Sequence, residues 1–95
     1  MSISSETALL EHVPTRLFIG GQWVDASGGA TLDVRDPATG RVIRTIADAS
    51  VADGVRALDA AVAAQDAWAA TAPRTRSDIL RRAFDLVQQR KEDLA

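Results

Sequence analysis

The sequence predicts two β-hairpins followed by two amphipathic α-helices, and three observations support this prediction. Turn residues at 20–21 and at 36–40 each lie between short runs of apolar and β-branched residues, a pattern typical of hairpins. From Ser50 onward, the apolar residues change from strand-like alternation to helical spacing. Pro73 then separates two helical segments, because proline is tolerated in the first turn of a helix.

The first predicted hairpin consists of the strands Leu17–Ile19 and Gln22–Asp25 around the pair Gly20–Gly21. Two glycines between apolar runs indicate a two-residue turn. A glycine pair can also indicate a phosphate-binding loop, but such a loop leads into the N-terminus of a helix. Since a strand follows here, we interpret the pair as a turn and Trp23 as a packing anchor.

The second predicted hairpin spans Thr31–Ala47. Pro37 has a φ angle fixed at about −65°, which suits the second position of a type I turn. The carboxylate of Asp36 can accept hydrogen bonds from backbone N–H groups two or three residues further on. Gly40 can adopt the left-handed conformation that lets the chain return as a strand. By itself, this hairpin indicates no function.

The first helix is predicted over Val51–Ala70, with Ser50 as its N-cap. Asp53 follows three residues later, which resembles a capping box and complements the helix dipole. The apolar residues fall on one face of this helix, and a group of mainly charged residues falls on the other side. The first group is Val51, Val55, Leu58, Val62 and Ala69, and the second is Asp53, Arg56, Asp59 and Ala63.

The second helix is predicted from Pro73 to the end of the chain, and Thr71 can cap its N-terminus. Its apolar stripe consists of Ile79, Leu80, Ala83, Phe84, Leu86, Val87 and Leu94. On the opposite face, Asp78 with Arg82 and Arg81 with Asp85 form pairs at the i,i+4 spacing. Because acids alternate with the arginines, we interpret this face as a solvated surface rather than an anion site.

The composition limits the chemistry that the chain can perform. There is no cysteine among the 95 residues, which excludes a disulfide, a thiolate metal site and a cysteine nucleophile within them. The net charge of −2 gives no electrostatic case for binding nucleic acid or membranes. The N-terminus lacks the features of a secretory signal, so a cytoplasmic protein is expected. Residues 1–14 are predicted to be a flexible leader, in which His12 lacks the partners of a catalytic or ligating histidine.

Four spaced motifs carry a family resemblance. They are residues 17–24 with the sequence Leu-Phe-Ile-Gly-Gly-Gln-Trp-Val, residues 36–40 with the sequence Asp-Pro-Ala-Thr-Gly, the pair Ala67–Trp68, and Pro73 with Arg76 and Ile79–Leu80. Together they resemble the N-terminal portion of an NAD(P)-dependent aldehyde dehydrogenase, over Leu17 to Ala95. Residues 36–40 and the run at residues 76–86 are most similar to those of succinate-semialdehyde dehydrogenases.

This resemblance implies an α/β parent enzyme, with residues 15–95 as the N-terminal part of its cofactor-binding domain. The parent would oxidise an aldehyde, expected to be succinate semialdehyde, to the carboxylic acid with NAD or NADP, as a homodimer or homotetramer. Its nucleophilic cysteine, its water-activating glutamate and its oxyanion and pyrophosphate groups would all lie beyond Ala95. Some relatives bind a monovalent cation through carbonyls matching Val34 and Arg35, but the partner carboxylate would also lie downstream. No catalytic, cofactor-binding or metal-binding residue is therefore assigned, and the segment alone is predicted to be inactive.

An alternative function is a small non-enzymatic α+β module that binds a partner through its apolar helix faces. The chain ends on Glu92–Ala95 without a glycine or asparagine stop signal, which favours truncation of a longer chain. Two hairpins can cover only part of both apolar helix faces. We therefore expect the isolated segment to be marginally stable, oligomeric or partly molten.

Overall fold

A computed structural model describes residues 3–95. The chain divides into two compact units, one ending at Ala61 and the other beginning at Val62. In chain order, the elements are α1 (Ile3–Glu11), β1 (Leu17–Ile19), β2 (Gln22–Val24), a 3-10 turn (Ser27–Gly29), β3 (Thr31–Arg35), β4 (Val42–Ala47), α2 (Val51–Ala70), α3 (Pro73–Gln89) and α4 (Lys91–Leu94). From Leu17 onward, the predicted order of two hairpins and then helices is confirmed.

Strands β1 and β2 form the first predicted hairpin, although β2 ends at Val24 rather than at Asp25. They pair antiparallel, with Phe18 opposite Trp23. Gly20 and Gly21 have φ angles of 62° and 79°, which are typical of a two-residue turn of the I′ type. The rings of Phe18 and Trp23 lie 4.8 Å apart between centroids, so the main aromatic contact of Trp23 is made across its own hairpin.

Strands β3 and β4 form the second predicted hairpin and constitute a separate two-stranded sheet. Their register runs from Thr31 opposite Ala47 to Arg35 opposite Val42, with an irregularity between Val34 and Arg35. At the turn, Asp36 Oδ1 accepts a 2.8 Å hydrogen bond from the Ala38 N–H, as the sequence predicts. Gly40 has a φ angle of 75° and donates its N–H to the Asp36 carbonyl at 2.7 Å.

Hydrogen bonds connect the second hairpin with the chain segments around it. The Ala47 N–H donates to the Thr15 carbonyl at 2.8 Å, and the Asp48 N–H donates to the Ala30 carbonyl at 2.9 Å. The apolar core near this hairpin is small. Among the described residues, Ala26 is the buried apolar residue, with 4% of its surface exposed. Hydrogen bonds therefore contribute much of what holds the segments around this hairpin together.

The predicted leader contains a helix that the sequence analysis did not anticipate. Helix α1 covers Ile3–Glu11, and the run from Ala8 to Glu11 consists of residues with high helix propensity. The Nδ1 atom of His12 lies 2.9 Å from the Ala8 carbonyl, one of the carbonyls that a helix end leaves unpaired. The prediction of a leader also covers Met1 and Ser2, which lie outside the described residues.

Helix α2 spans Val51–Ala70, as predicted, but the last predicted helix is divided. Helix α3 ends at Gln89, and Arg90 leaves the helical conformation at φ −106° and ψ 13° before α4 begins. The prediction of one continuous helix to the end of the chain is therefore wrong. Glu92 and Asp93 fall in the first turn of α4, where acids are favourable, whereas the last turn of a longer α3 would disfavour them.

The cap predicted for α3 is also wrong. The residue at its N-cap is Ala72, which provides no side-chain hydrogen bond. Thr71 Oγ1 instead donates to the Ala67 carbonyl at 2.8 Å, because the last turn of α2 has carbonyls without helical partners. The Thr71 carbonyl in turn accepts a 3.2 Å hydrogen bond from Nε of Arg76. Thr71 therefore closes α2 rather than opening α3.

Candidate functional site

The most elaborate polar cluster in the described residues is centred on Asp53, in the first turn of α2. Its side chain is 1% exposed, although the sequence analysis placed it on the side opposite the apolar face. The carboxylate faces the connection between β2 and β3, so the capping role that the sequence predicts for Asp53 accounts for only part of its contacts. A charge buried in this way is tolerated only when it is paired and hydrogen-bonded.

The carboxylate of Asp53 accepts hydrogen bonds from five donor groups on three residues. Ser27 donates its hydroxyl to Oδ1 at 2.6 Å and its N–H to Oδ2 at 3.0 Å. Ser50 donates its N–H and its hydroxyl to Oδ2 at 2.9 Å and 3.1 Å. Arg56 forms an ion pair, with Nη2 2.6 Å from Oδ1. In the described part of the chain, no buried side-chain polar atom lacks a partner.

The contacts between Ser50 and Asp53 form the predicted capping box. The Asp53 N–H donates to Ser50 Oγ at 3.2 Å, while the carboxylate accepts from the Ser50 N–H. This reciprocal arrangement satisfies N–H groups that the start of a helix leaves without partners. Both residues of the box are predicted from the sequence, whereas the contact of Ser27, which lies 26 positions away from Asp53, is not.

These donors strongly perturb the acidity of Asp53. The hydroxyl of Ser27 has the largest effect, followed by the N–H groups of Ser50 and Ser27, and together they hold the pKa of the Asp53 carboxyl far below its usual range. Burial acts in the opposite direction, and the Arg56 guanidinium adds a smaller lowering effect. Because its lone pairs are occupied by donors, the carboxylate is unsuited to accept a proton from a substrate or to bind a metal. Asp53 therefore has a structural role.

The acidic residues and the histidine of the described chain are dispersed. They contain no group of three or more histidine, cysteine, aspartate or glutamate side chains that could hold a metal ion. His12, the one histidine of the sequence, contacts a backbone carbonyl rather than a second titratable group. The hydroxyls of Ser27 and Ser50 do donate to the Asp53 carboxylate, but that carboxylate is occupied by the other donors around it and is not free to act as a general base.

The glycine-containing connections do not fit the pyrophosphate of a dinucleotide. The turn at Gly20–Gly21 leads into β2, and the connection at Ser27–Gly29 leads toward β3, whereas a phosphate-binding loop leads into a helix. At the N-terminus of α2, the carboxylate of Asp53 already occupies the position that an anion would take. None of these three places has the open helix N-terminus to which a phosphate binds in a dinucleotide site.

Apolar side chains are exposed on both long helices. On the part of α2 that precedes Val62, Val51 is 87% exposed and Leu58 is 63% exposed. On α3, Leu80 is 65% exposed, and Ile79, Phe84 and Val87 are each about half exposed. Such stripes are normally buried against another element. The predicted apolar faces are therefore present and are largely uncovered in residues 3–95.

The charged side of α3 agrees in part with the sequence analysis. Nε of Arg81 lies 3.4 Å from Oδ1 of Asp85, and its guanidinium lies 4.9 Å from the centre of the Phe84 ring. Asp78 and Arg82 do not form a second ion pair within 4.0 Å in the described structure. In addition, none of the described helices is both long enough and apolar enough to cross a membrane.

Comparison with known proteins assigns the fold to a class. The model of the aldehyde dehydrogenase family matches residues 23–95, which is most of the chain. The chain therefore belongs to the aldehyde dehydrogenase family, and its hairpins and helices form part of the α/β fold of that family.

Solved structures agree with this assignment. A betaine aldehyde dehydrogenase from Staphylococcus aureus in complex with NAD⁺ is 30% identical, with a TM-score of 0.91 over 96% of this chain. A succinate-semialdehyde dehydrogenase from Burkholderia pseudomallei is 39% identical, with a TM-score of 0.83 over 92% of this chain. An aldehyde dehydrogenase from Brucella melitensis biovar abortus is 39% identical, with a TM-score of 0.75 over 84% of this chain. The present chain covers 18%, 17% and 16% of these three proteins, respectively.

Proposed function

We propose that this chain is the N-terminal segment of an enzyme that oxidises an aldehyde to the carboxylic acid with NAD⁺ or NADP⁺. The observation that carries the proposal is the match of residues 23–95 to the aldehyde dehydrogenase family. Residues 15–95 would form the first part of the cofactor-binding domain, preceded by a leader at residues 1–14. The segment would supply structure rather than catalytic groups, since its most buried carboxylate is saturated by donors.

We further propose succinate semialdehyde as the substrate. Support comes from the 39% identity to the succinate-semialdehyde dehydrogenase, compared with 30% to the betaine aldehyde dehydrogenase. The motifs at residues 36–40 and 76–86 point the same way. The substrate proposal therefore rests on likeness along the chain.

The exposed helix faces suggest how the segment would be used. The apolar side chains of α2 and α3 would be covered by the remaining polypeptide of the dehydrogenase, since the solved relatives are more than five times as long. The complete enzyme would be a cytoplasmic homodimer or homotetramer. NAD⁺ is supported by the complex of the S. aureus relative, and NADP⁺ is the alternative cofactor.

An assay of the natural gene product that contains these residues tests the proposal. Reduction of NAD⁺ and of NADP⁺ would be followed with succinate semialdehyde and with betaine aldehyde as substrates. We expect kcat/KM to be higher with succinate semialdehyde by at least about 100-fold. A site whose polar groups bind the carboxylate of succinate semialdehyde would leave those groups unpaired with betaine aldehyde. Preference for betaine aldehyde would refute the substrate proposal, and no oxidation of any aldehyde would refute the proposed enzyme activity.

The alternative is a non-enzymatic module that binds a partner through its helix faces. The observation favouring it is the exposure of apolar residues such as Leu58 and Leu80, because large exposed apolar patches often mark interaction sites. A natural product of only 95 residues that is monodisperse and inactive toward aldehydes would favour this alternative. A longer, active product would exclude it.

A further inference from the structure

The donors around Asp53 come from two segments that are far apart in the sequence. Ser50 and Arg56 flank the carboxylate on the helix side, and Ser27 reaches it from the connection between β2 and β3. In the described residues, every hydrogen bond that joins this connection to α2 ends at Asp53. The carboxylate is therefore the polar junction between the strand region and the first turn of the helix.

The chemistry of the junction requires the charged form of Asp53. An ionised carboxylate has two acceptor oxygens and no donor, so each of the five donor groups around it is directed at an acceptor. An asparagine at the same position would offer one acceptor oxygen and two N–H donors. An amide nitrogen at the Oδ2 position would face the N–H groups of Ser27 and Ser50, and one at the Oδ1 position would face the guanidinium of Arg56. None of these groups can accept a hydrogen bond. The junction is thus specific for an anion and not merely for a side chain of this size.

The β2–β3 connection contains a tight turn next to the residue that contacts Asp53. The Gly29 N–H donates to the Ala26 carbonyl at 2.8 Å, which closes a tight turn around Ser27. Ala26, directly before Ser27, is buried. The contacts from Ser27 to Asp53 therefore join this turn, which follows the buried alanine, to the start of α2.

We infer that Asp53 acts as a clasp that couples the order of two segments, the connection at residues 26–29 and the first turn of α2. When the clasp is intact, both segments are ordered, and when it is broken, both open together. This conformational device follows from the hydrogen bonds of the described residues and does not rest on the proposed enzymatic function. Coupling of this kind is expected where one buried group satisfies polar partners from both sides.

Hydrogen exchange measured by mass spectrometry on the natural gene product tests the clasp. Ser27→Ala changes only the connection, yet it should speed amide exchange in the first turn of α2 by about fivefold, the effect of one lost hydrogen bond. Ser50→Ala changes only the cap, yet it should speed exchange at residues 26–30 by a similar factor. Asp53→Asn should speed exchange in both segments by at least about tenfold, since hydrogen bonds to charged groups are stronger. Asp59→Asn, at an exposed carboxylate of the same helix, is the matched control and should change neither segment.

The reciprocal design keeps the inference falsifiable even if Asp53→Asn does not fold. The inference is overturned if Ser27→Ala speeds exchange only in its own connection while Ser50→Ala speeds exchange only in its own helix. That result would make the cluster two independent local contacts. Faster exchange in the distant segment with both serine variants, and unchanged exchange with Asp59→Asn, is the result that the clasp requires.

Discussion

The hydroxyl of Ser27 donates a 2.6 Å hydrogen bond to Oδ1 of Asp53, although 26 positions separate the two residues. The same carboxylate completes a capping box with Ser50 at the start of α2. One buried anion thereby serves as a local helix cap and as a long-range contact. Ala26 is the buried apolar residue of the described chain, so the strand region is connected to the start of α2 by these hydrogen bonds more than by apolar packing.

Loss of the cap at Ser50 should destabilise the protein. In Ser50→Ala, the Asp53 N–H loses its acceptor, and we expect a loss of about 1 kcal/mol in the free energy of unfolding, as is usual for an N-cap serine. Urea denaturation of the natural gene product would measure it. Ser77→Ala, at an exposed position within α3, is the control and should stay within about 0.5 kcal/mol of the unchanged protein. Equal stabilities for the two variants would show that the capping box contributes nothing.

The contribution of Asp53 to stability should depend on pH only under acidic conditions. Its carboxyl pKa is lowered on folding, first by the Ser27 hydroxyl and then by backbone donors. A lowered pKa means that the stabilisation is fully present above the unfolded value of about 3.9. It is lost progressively as the pH falls from there toward the folded value.

Stability measured against pH for the unchanged protein and for Asp53→Asn would test this expectation. The difference in free energy of unfolding between the two should be constant from neutral pH to about pH 5 and should shrink below about pH 4. Other acids titrate in both proteins, so the difference isolates Asp53. A difference that changes near neutral pH, or that does not shrink in acid, would contradict the lowered pKa.

Two glycine substitutions should have opposite signs. Gly40 has a φ angle of 75°, so Gly40→Ala should cost about 1 kcal/mol through backbone strain at the hairpin turn. Gly54 lies in the helix α2, and a methyl group added there would meet no atom within 4 Å. Gly54→Ala should therefore raise stability by about 0.5–1 kcal/mol. Thermal unfolding of the two variants would measure both, and a shift in the same direction would contradict the described backbone.

The isolated segment of 95 residues should self-associate through its apolar helix faces. Leu58 is 63% exposed, so Leu58→Lys should lower the association measured by light scattering at several protein concentrations. Ala63→Lys adds the same charge to the other side of α2 and should have a smaller effect. A monomer at all concentrations, with a cooperative thermal transition, would show that the segment is stable alone and would contradict the expectation.

Local sequence signals predicted most of the fold. The two hairpins follow from glycine, proline and aspartate at turn positions, where backbone sterics leave few conformations. The bounds of α2 follow from Ser50 and from helical spacing. These features need only neighbouring residues, and so one sequence is sufficient to predict them.

The features that were not predicted from the sequence depend on competition between two local structures or on contacts between distant residues. Thr71 could cap α3 or close α2, and propensity alone does not decide between them. The break at Arg90 reflects acids that fit the start of a helix better than its end. The contact from Ser27 to Asp53 joins distant segments, and the spacing of a helix face cannot reveal it.

The most direct test of the central claim is the intact mass of the natural gene product, read together with its sequence past Ala95. We predict a chain about five times as long as the present one, in keeping with the solved relatives, with a cysteine and a glutamate downstream that could serve as nucleophile and base. A natural product that ends at Ala95 would contradict the claim, because these 95 residues contain no cysteine. The partner of the apolar helix faces would then become the central question.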